Sequence, residues 1–147
     1  MQYEEGKIGR IFALKLEDGD RIPGAIEDFA REHAVRSALA IYVGGAAASS
    51  SLVVGPDAAR TDMPVPLIHR LGSIQEVLAV GTLFPDKQGN PVLHMHAATG
   101  REGKATVGCT RAGVDVWLLG EVILLEICDT KGFRRKDPVT NFHILQL

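Results

Sequence analysis

Apolar and polar residues alternate over most of the chain, and a period of two marks strands with one buried face. Ile8–Leu16 sets Ile8, Phe12, Leu14 and Leu16 on one side and runs into the polar turn Glu17-Asp18-Gly19-Asp20. A single stretch changes period. Ile22, Ile26, Phe29, Ala30 and His33 recur at helical spacing, with Glu27, Asp28, Arg31 and Glu32 facing away. Asp20 is placed to cap this helix, Pro23 is tolerated only in its first turn, and the helix is expected to end near His33–Val35.

After the helix the pattern returns to strand. Ala38–Gly45 is a short apolar run, and Leu52–Gly55 and Leu67–Leu71 are weaker strands separated by a loop with Pro56, Pro64 and Pro66. Ile74–Phe84 and Val92–Ala98 flank the turn Pro85–Pro91 and predict an antiparallel hairpin. Thr99–Gly103 turns again into Lys104–Thr110, and Val114–Leu119, Val122–Cys128 and Phe142–Leu147 complete the series. One helix with about eight strands in hairpin order predicts an α+β fold, a single domain spanning 1–147 with its core at about 7–147, built on a mainly antiparallel sheet. One helix covers only part of such a sheet, so some of Val114–Leu125 is expected to be buried against another subunit of a symmetric oligomer.

Composition narrows the class. The 147 residues are 46% hydrophobic and 23% charged, a globular mixture rather than a disordered one. The net charge of −2 gives no general attraction to nucleic acid. No apolar run reaches the roughly 18 residues of a membrane span, and the polar start Met1–Lys7 does not read as a signal peptide, so a cytoplasmic protein is expected. Cys109 and Cys128 are the only cysteines and are expected to be thiols.

The most informative chemistry is Leu93-His94-Met95-His96-Ala97. Residues two apart on a strand share a face, about 7 Å apart along the backbone. His94 and His96 can therefore aim at one ion. Cys109 follows the tight turn and returns to the neighbourhood of the histidine strand, so the three residues form a candidate metal set suited to zinc, with a fourth position open to water or a partner's side chain. Two histidines on a strand also serve as a plain polar stripe, and a buried cysteine as a small core residue; both readings stand at this point. Lys131, Arg134, Arg135 and Lys136 form a basic knot able to contact phosphates, or simply a solvated loop diluted by Asp129 and Asp137. Glu76 and Glu121 are strand carboxylates available as proton shuttles; His33, His69 and His143 are isolated. No dinucleotide fingerprint, Walker sequence or nucleophile elbow is present.

The order of segments resembles the plants and prokaryotes conserved (PPC) domain. It is carried by Asp18-Gly19-Asp20 before a helix ending Ala30-Arg31-Glu32-His33, a strand ending Gly44-Gly45, Glu76-Val77-Leu78, Leu93-His94-Met95-His96, Val107-Gly108-Cys109 and a closing strand after Phe133-Arg134-Arg135. The resemblance implies a homotrimer. It also implies a metal site, in which His94 and His96 match a His-x-His pair and Cys109 stands where a third histidine is usual. Glu76, Val77 and Leu78 match the end of a plant motif tied to partner binding. The Arg-Gly-Arg core of the AT-hook is absent from this sequence, and three chains would together carry about −6, which opposes non-specific duplex binding. Three functions follow as expectations: a zinc-binding trimer with a binding or regulatory role and indirect DNA association, a metal-dependent enzyme acting on a small substrate in an intersubunit cleft, and a metal-free interaction module.

Overall fold

The computed structural model describes residues 1–57 and 64–147. Among these, the chain forms β1 (Lys7–Glu17), β2 (Arg21–Ile22), α1 (Gly24–Glu32), β3 (Ala38–Ala46), β4 (Ser51–Pro56), β5 (Pro66–Arg70), β6 (Gln75–Pro85), β7 (Pro91–Arg101), β8 (Lys104–Cys109), β9 (Val114–Cys128), β10 (Phe133–Lys136) and β11 (His143–Gln146). A turn of 3-10 helix, Thr110–Ala112, joins β8 to β9. The expected α+β domain is present: a nine-stranded sheet ordered β1-β9-β3-β6-β7-β8-β4-β5, with β2 on β9, one helix, and a separate β10–β11 hairpin. The middle of the expected proline loop, 58–63, lies outside the described residues.

Hairpin order holds for β6-β7-β8 and for β4-β5, but β9 inserts between β1 and β3. The two expected strands Val114–Leu119 and Val122–Cys128 are one 15-residue strand, because pairing with β3 continues through a bulge: Gly44 opposes Gly120 and Gly45 opposes Trp117. Leu118, at the bulge, has φ 65° and its N–H donates to Asp18 Oδ1 at 2.7 Å. A second bulge lies in β1 between Ile8 and Ile11. It flips the alternation, so Ile8 is exposed and does not join Phe12, Leu14 and Leu16.

The helix also departs from expectation. Ile22 is in β2, Pro23 is the N-cap, and the Asp20 carboxylate accepts from Glu17 N–H at 2.8 Å, closing the preceding turn rather than capping the helix. Ile26 and Ala30 are buried as the spacing predicts, and the helix ends at Glu32.

Alternation builds the core. Ala38, Ala40 and Tyr42 of β3, Val77, Ala79 and Leu83 of β6, Met95 and Ala97 of β7 and Val122 and Leu124 of β9 all face inward. Two close approaches need glycine. Gly44 pairs with Gly120, and a Cβ on Gly120 would come within 2.6 Å of the Tyr42 ring, so the pair forms a trough for that ring. Burial pushes the Tyr42 phenol up to about 12, and its O–H donates to Gly45 O at 2.9 Å. Gly81 opposes Met95, where a Cβ would lie 2.7 Å from His94 O, so β6 packs tightly under the histidine segment.

The opposite face of the sheet is apolar too. Val43, Leu78, Val80 and Ile123 stand exposed on it, and the bulge presents Trp117, Leu118 and Leu119. Val114, Val116, Val122 and Leu124 are buried within the chain, so the richness of β9 is explained half by its own core. Among the described residues, no helix is long and apolar enough to cross a membrane.

At the β1 bulge, Arg10 binds Glu126 through its backbone N–H (3.0 Å), Nε (2.8 Å) and Nη2 (2.7 Å), and Nη2 also donates to His33 O at the end of α1. The Arg10 hydrogen bonds hold the Glu126 carboxyl down at about 2, from the usual 4.5. A carboxyl with a lowered folded pKa contributes stability that is full above the unfolded value and lost as pH falls through the folded one. Urea unfolding followed with pH should therefore show Glu126→Gln less stable than wild type above pH 4.5, with the gap closing as pH falls toward about 2; a gap independent of pH contradicts this.

Candidate metal centre

The centre forms because β7 and β8 leave their turn in strict register. Glu102 and Gly103, with φ 53° and 75°, make the two-residue turn, Arg101 pairs with Lys104, and His96 falls directly opposite Cys109. Directly opposed residues share a face, and His94 is two residues from His96 on that face. The ligand atoms of His94, His96 and Cys109 consequently lie within 4.8 Å of one another. The two histidine Nε2 atoms are 3.2 Å apart, with the rings nearly perpendicular at 78°. Two nitrogens each about 2.0–2.1 Å from a tetrahedral zinc are about 3.3 Å apart, so the pair is already at a ligand spacing. Burial holds the His94 imidazole below its usual value, and Arg134, His96 and Arg111 act in the same direction. The neutral ring is the form that binds a metal. The donor set of two imidazoles and a thiol fits zinc.

These residues open onto a cleft of about 1010 Å³ between β7, β8, β4 and the β10–β11 hairpin. Its walls are mostly valine, proline and leucine, with Phe142 and Ile144 from the tail. Three polar residues on it were not assigned there by the sequence. Glu27, expected to face solvent, is half-buried, and its Oε1 accepts from Leu93 N–H at 2.8 Å. Desolvation raises its carboxyl pKa. Arg111 lies with Cζ 5.3 Å from the Phe142 ring centre. Arg134 is only 3% exposed.

Arg134 therefore leaves the basic knot. Its Nε donates to Val92 O, Nη1 to His143 O, and Nη2 to Thr82 O and Oγ1 at 3.0 and 2.8 Å. Arg135 and Lys136 stay exposed on β10, with Lys131 exposed before it, so the surface patch has three cations rather than four. The Glu76-Val77-Leu78 segment is split by alternation: Val77 is buried in the core and only Glu76 and Leu78 face outward. Neither Glu76 nor Glu121 lines the cleft, so Glu27 takes the place expected of them as the carboxylate near the centre. His143 lines the cleft, His69 is exposed on β5, and His33 stacks on Phe29 at 4.1 Å. No local sequence signal marks Glu27: the sequence reads the two strands as equally long, and only in the structure does β8 stop short of Leu93.

A family model described as the Plants and Prokaryotes Conserved (PCC) domain matches residues 3–128. The chain belongs to the PCC family. Solved PCC-like structures share its fold. A metal-containing protein from Archaeoglobus fulgidus has a TM-score of 0.84 at 22% identity, over 100% of both chains. A plant- and prokaryote-conserved protein from Pyrococcus horikoshii has a TM-score of 0.81 at 18% identity, also over 100% of both. A protein from Ralstonia eutropha whose name proposes DNA binding has a TM-score of 0.70 at 20% identity, over 92% of this chain and 90% of that one. At these identities the likeness is one of fold. Among curated proteins, none is similar enough in sequence to match.

The Glu27–Leu93 bond ties the helix to the histidine strand in this PCC domain. Glu27→Ala leaves a partly buried N–H without a partner and should cost about 1–3 kcal/mol, whereas the Glu27→Gln amide oxygen accepts the same bond and should cost much less. Urea denaturation of the two variants measures the difference; equal losses would mean that the bond is not what fixes the helix.

Proposed function

We propose that this PCC domain is a cytoplasmic homotrimeric zinc-binding protein with a binding or regulatory role, in which His94, His96 and Cys109 hold the metal and DNA association is indirect or weak. The observation that carries the reading is the 3.2 Å convergence of the two Nε2 atoms with the Cys109 sulfur close by. The metal-containing relative from A. fulgidus supports it in kind. Zinc bound here would supply Lewis acidity at the floor of the cleft, while His94, neutral by burial, and Cys109 would hold it. Against direct duplex binding stand the net charge of −2 and the loss of Arg134 from the exposed basic patch.

A second reading has its own observation. A zinc held by these three residues would keep a fourth position for water or a partner's side chain, and Glu27 lies on the same cleft as His94, His96 and Cys109. This is the layout of a metal-assisted hydrolase or lyase, with Glu27 able to take or give a proton. Its carboxylate is engaged by Leu93 N–H in the resting state, which favours binding over catalysis.

The trimer is supported by the uncovered apolar face: Val43, Leu78, Val80 and Ile123 are too many exposed aliphatic residues on one surface for an isolated chain.

Two measurements test the proposal. Tag-free protein equilibrated with trace zinc and analysed by elemental mass spectrometry should hold about one zinc per chain, and His94→Ala or Cys109→Ser should each lower affinity about tenfold or more. Absence of stoichiometric metal removes both metal readings. In sedimentation equilibrium the protein should run at three times the chain mass, and the double substitution Leu78→Glu, Val80→Glu should shift it to monomer; a monomeric wild type would discard the trimer.

A further inference from the structure

Among the described residues Arg134 is the one buried cation, and no described carboxylate lies within ion-pair distance of it. Its four hydrogen bonds go to neutral oxygens on Val92, His143 and Thr82. They hold the guanidinium in place, with its Cζ 5.9 Å from the Phe84 ring centre, and leave one Nη1 proton free and the charge without an anionic partner among the described residues. Burial of an ion without a counter-charge is costly, and natural sites offset it with an opposite charge. The contrast within this chain is Arg10, whose guanidinium is matched by Glu126.

The position of this guanidinium points to the cleft. Thr82, which receives two of the bonds, is paired with His94 across β6 and β7, so the guanidinium sits beside the histidine centre and on the same cleft. Arg111 brings a second guanidinium to that cleft, set against the Phe142 ring. Glu27 is the cleft's carboxylate, and it is committed to Leu93 N–H. A divalent ion on two neutral imidazoles and a thiolate would leave a charge of +1, adding to the imbalance rather than correcting it. The rest of the wall is apolar, from Val53, Val54, Pro56, Val92 and Ile144.

We propose that this cleft binds a small organic acid, with its carboxylate on Arg134 and Arg111 and its hydrocarbon body along the valine and proline wall. One free Arg134 proton with the Arg111 fork matches a planar monoanion; a phosphate dianion would ask for more donors than are open. The cleft volume is that of a ligand site with room for a chain of several carbons. The inference rests on the arginines and not on the metal reading, so the two can fail separately.

The test is calorimetric titration of the full chain, both stripped of metal with chelator and reloaded with zinc. The probes are sodium octanoate and, as its uncharged counterpart, octanamide. Octanoate should bind saturably at one per chain in the stripped protein, about tenfold or more tighter than octanamide. Arg111→Gln, a change at an exposed side chain, should weaken octanoate several-fold and leave octanamide unchanged. Arg134→Lys should do the same with circular dichroism intact; if that variant misfolds, the acid–amide comparison on wild type and Arg111→Gln decides. Equal affinity for acid and amide, no saturable octanoate binding, octanoate affinity unaffected by Arg111→Gln, or displacement of octanoate by inorganic phosphate at equal concentration would overturn the proposal. Octanoate binding without stoichiometric zinc would keep this inference and discard the metal centre.

Discussion

The whole cleft depends on where β8 stops pairing. It accompanies β7 from Lys104 to Cys109 and no further, so the edge of β7 beyond His96 has no partner strand. Exposed backbone groups on such an edge must find partners or water. Here Leu93 N–H is taken by Glu27 from the helix, and Met95 O accepts from the Thr110 hydroxyl in the 3-10 turn. Side chains thus finish a ladder that a strand did not. The last residue of β8 is the one that supplies the sulfur.

That arrangement joins two kinds of chemistry in one hollow. The histidine and cysteine donors suit a borderline metal, while the arginines are permanent, delocalised charges. The surrounding wall is aliphatic, which strengthens every electrostatic contact made inside it. A centre of this kind has a clear preference for what approaches it: something negative at one end and greasy at the other. The outer apolar sheet face runs into this hollow, since Val80 stands directly opposite His96, and its aliphatic part suits contact between copies.

Much of this was legible from residue order, for identifiable reasons. Strand alternation placed His94 and His96 on one face, and the tight turn read at Thr99–Gly103 allowed Cys109 to be counted back toward them; the structure tightens that turn to Glu102-Gly103, and the register lands Cys109 opposite His96. The β6–β7 hairpin and the helix span were readable because each rests on local contacts. What failed depends on insertions or on distant partners. Ile8 was misplaced by a bulge that only its pairing with β9 defines. Asp20 was assigned to the helix although a nearer turn amide claimed it. Arg134 was read as surface charge because three other cations neighbour it, and nothing local announces that Thr82 and Val92, far back in the chain, would receive it. Val77 is the exception: its inward direction follows from simple alternation and required no structure.

The β10–β11 hairpin begins at Phe133, past residue 128, where the match to the PCC family model ends. The donor triad stands on the large sheet, and the buried guanidinium on a two-stranded flap laid against it. Two pieces of the fold meet in one site: the sheet would fix what is held at the floor, and the flap would decide which visitors are tolerated above it. Selectivity in such a design can be rewritten by trading a short ribbon, leaving the sheet beneath undisturbed.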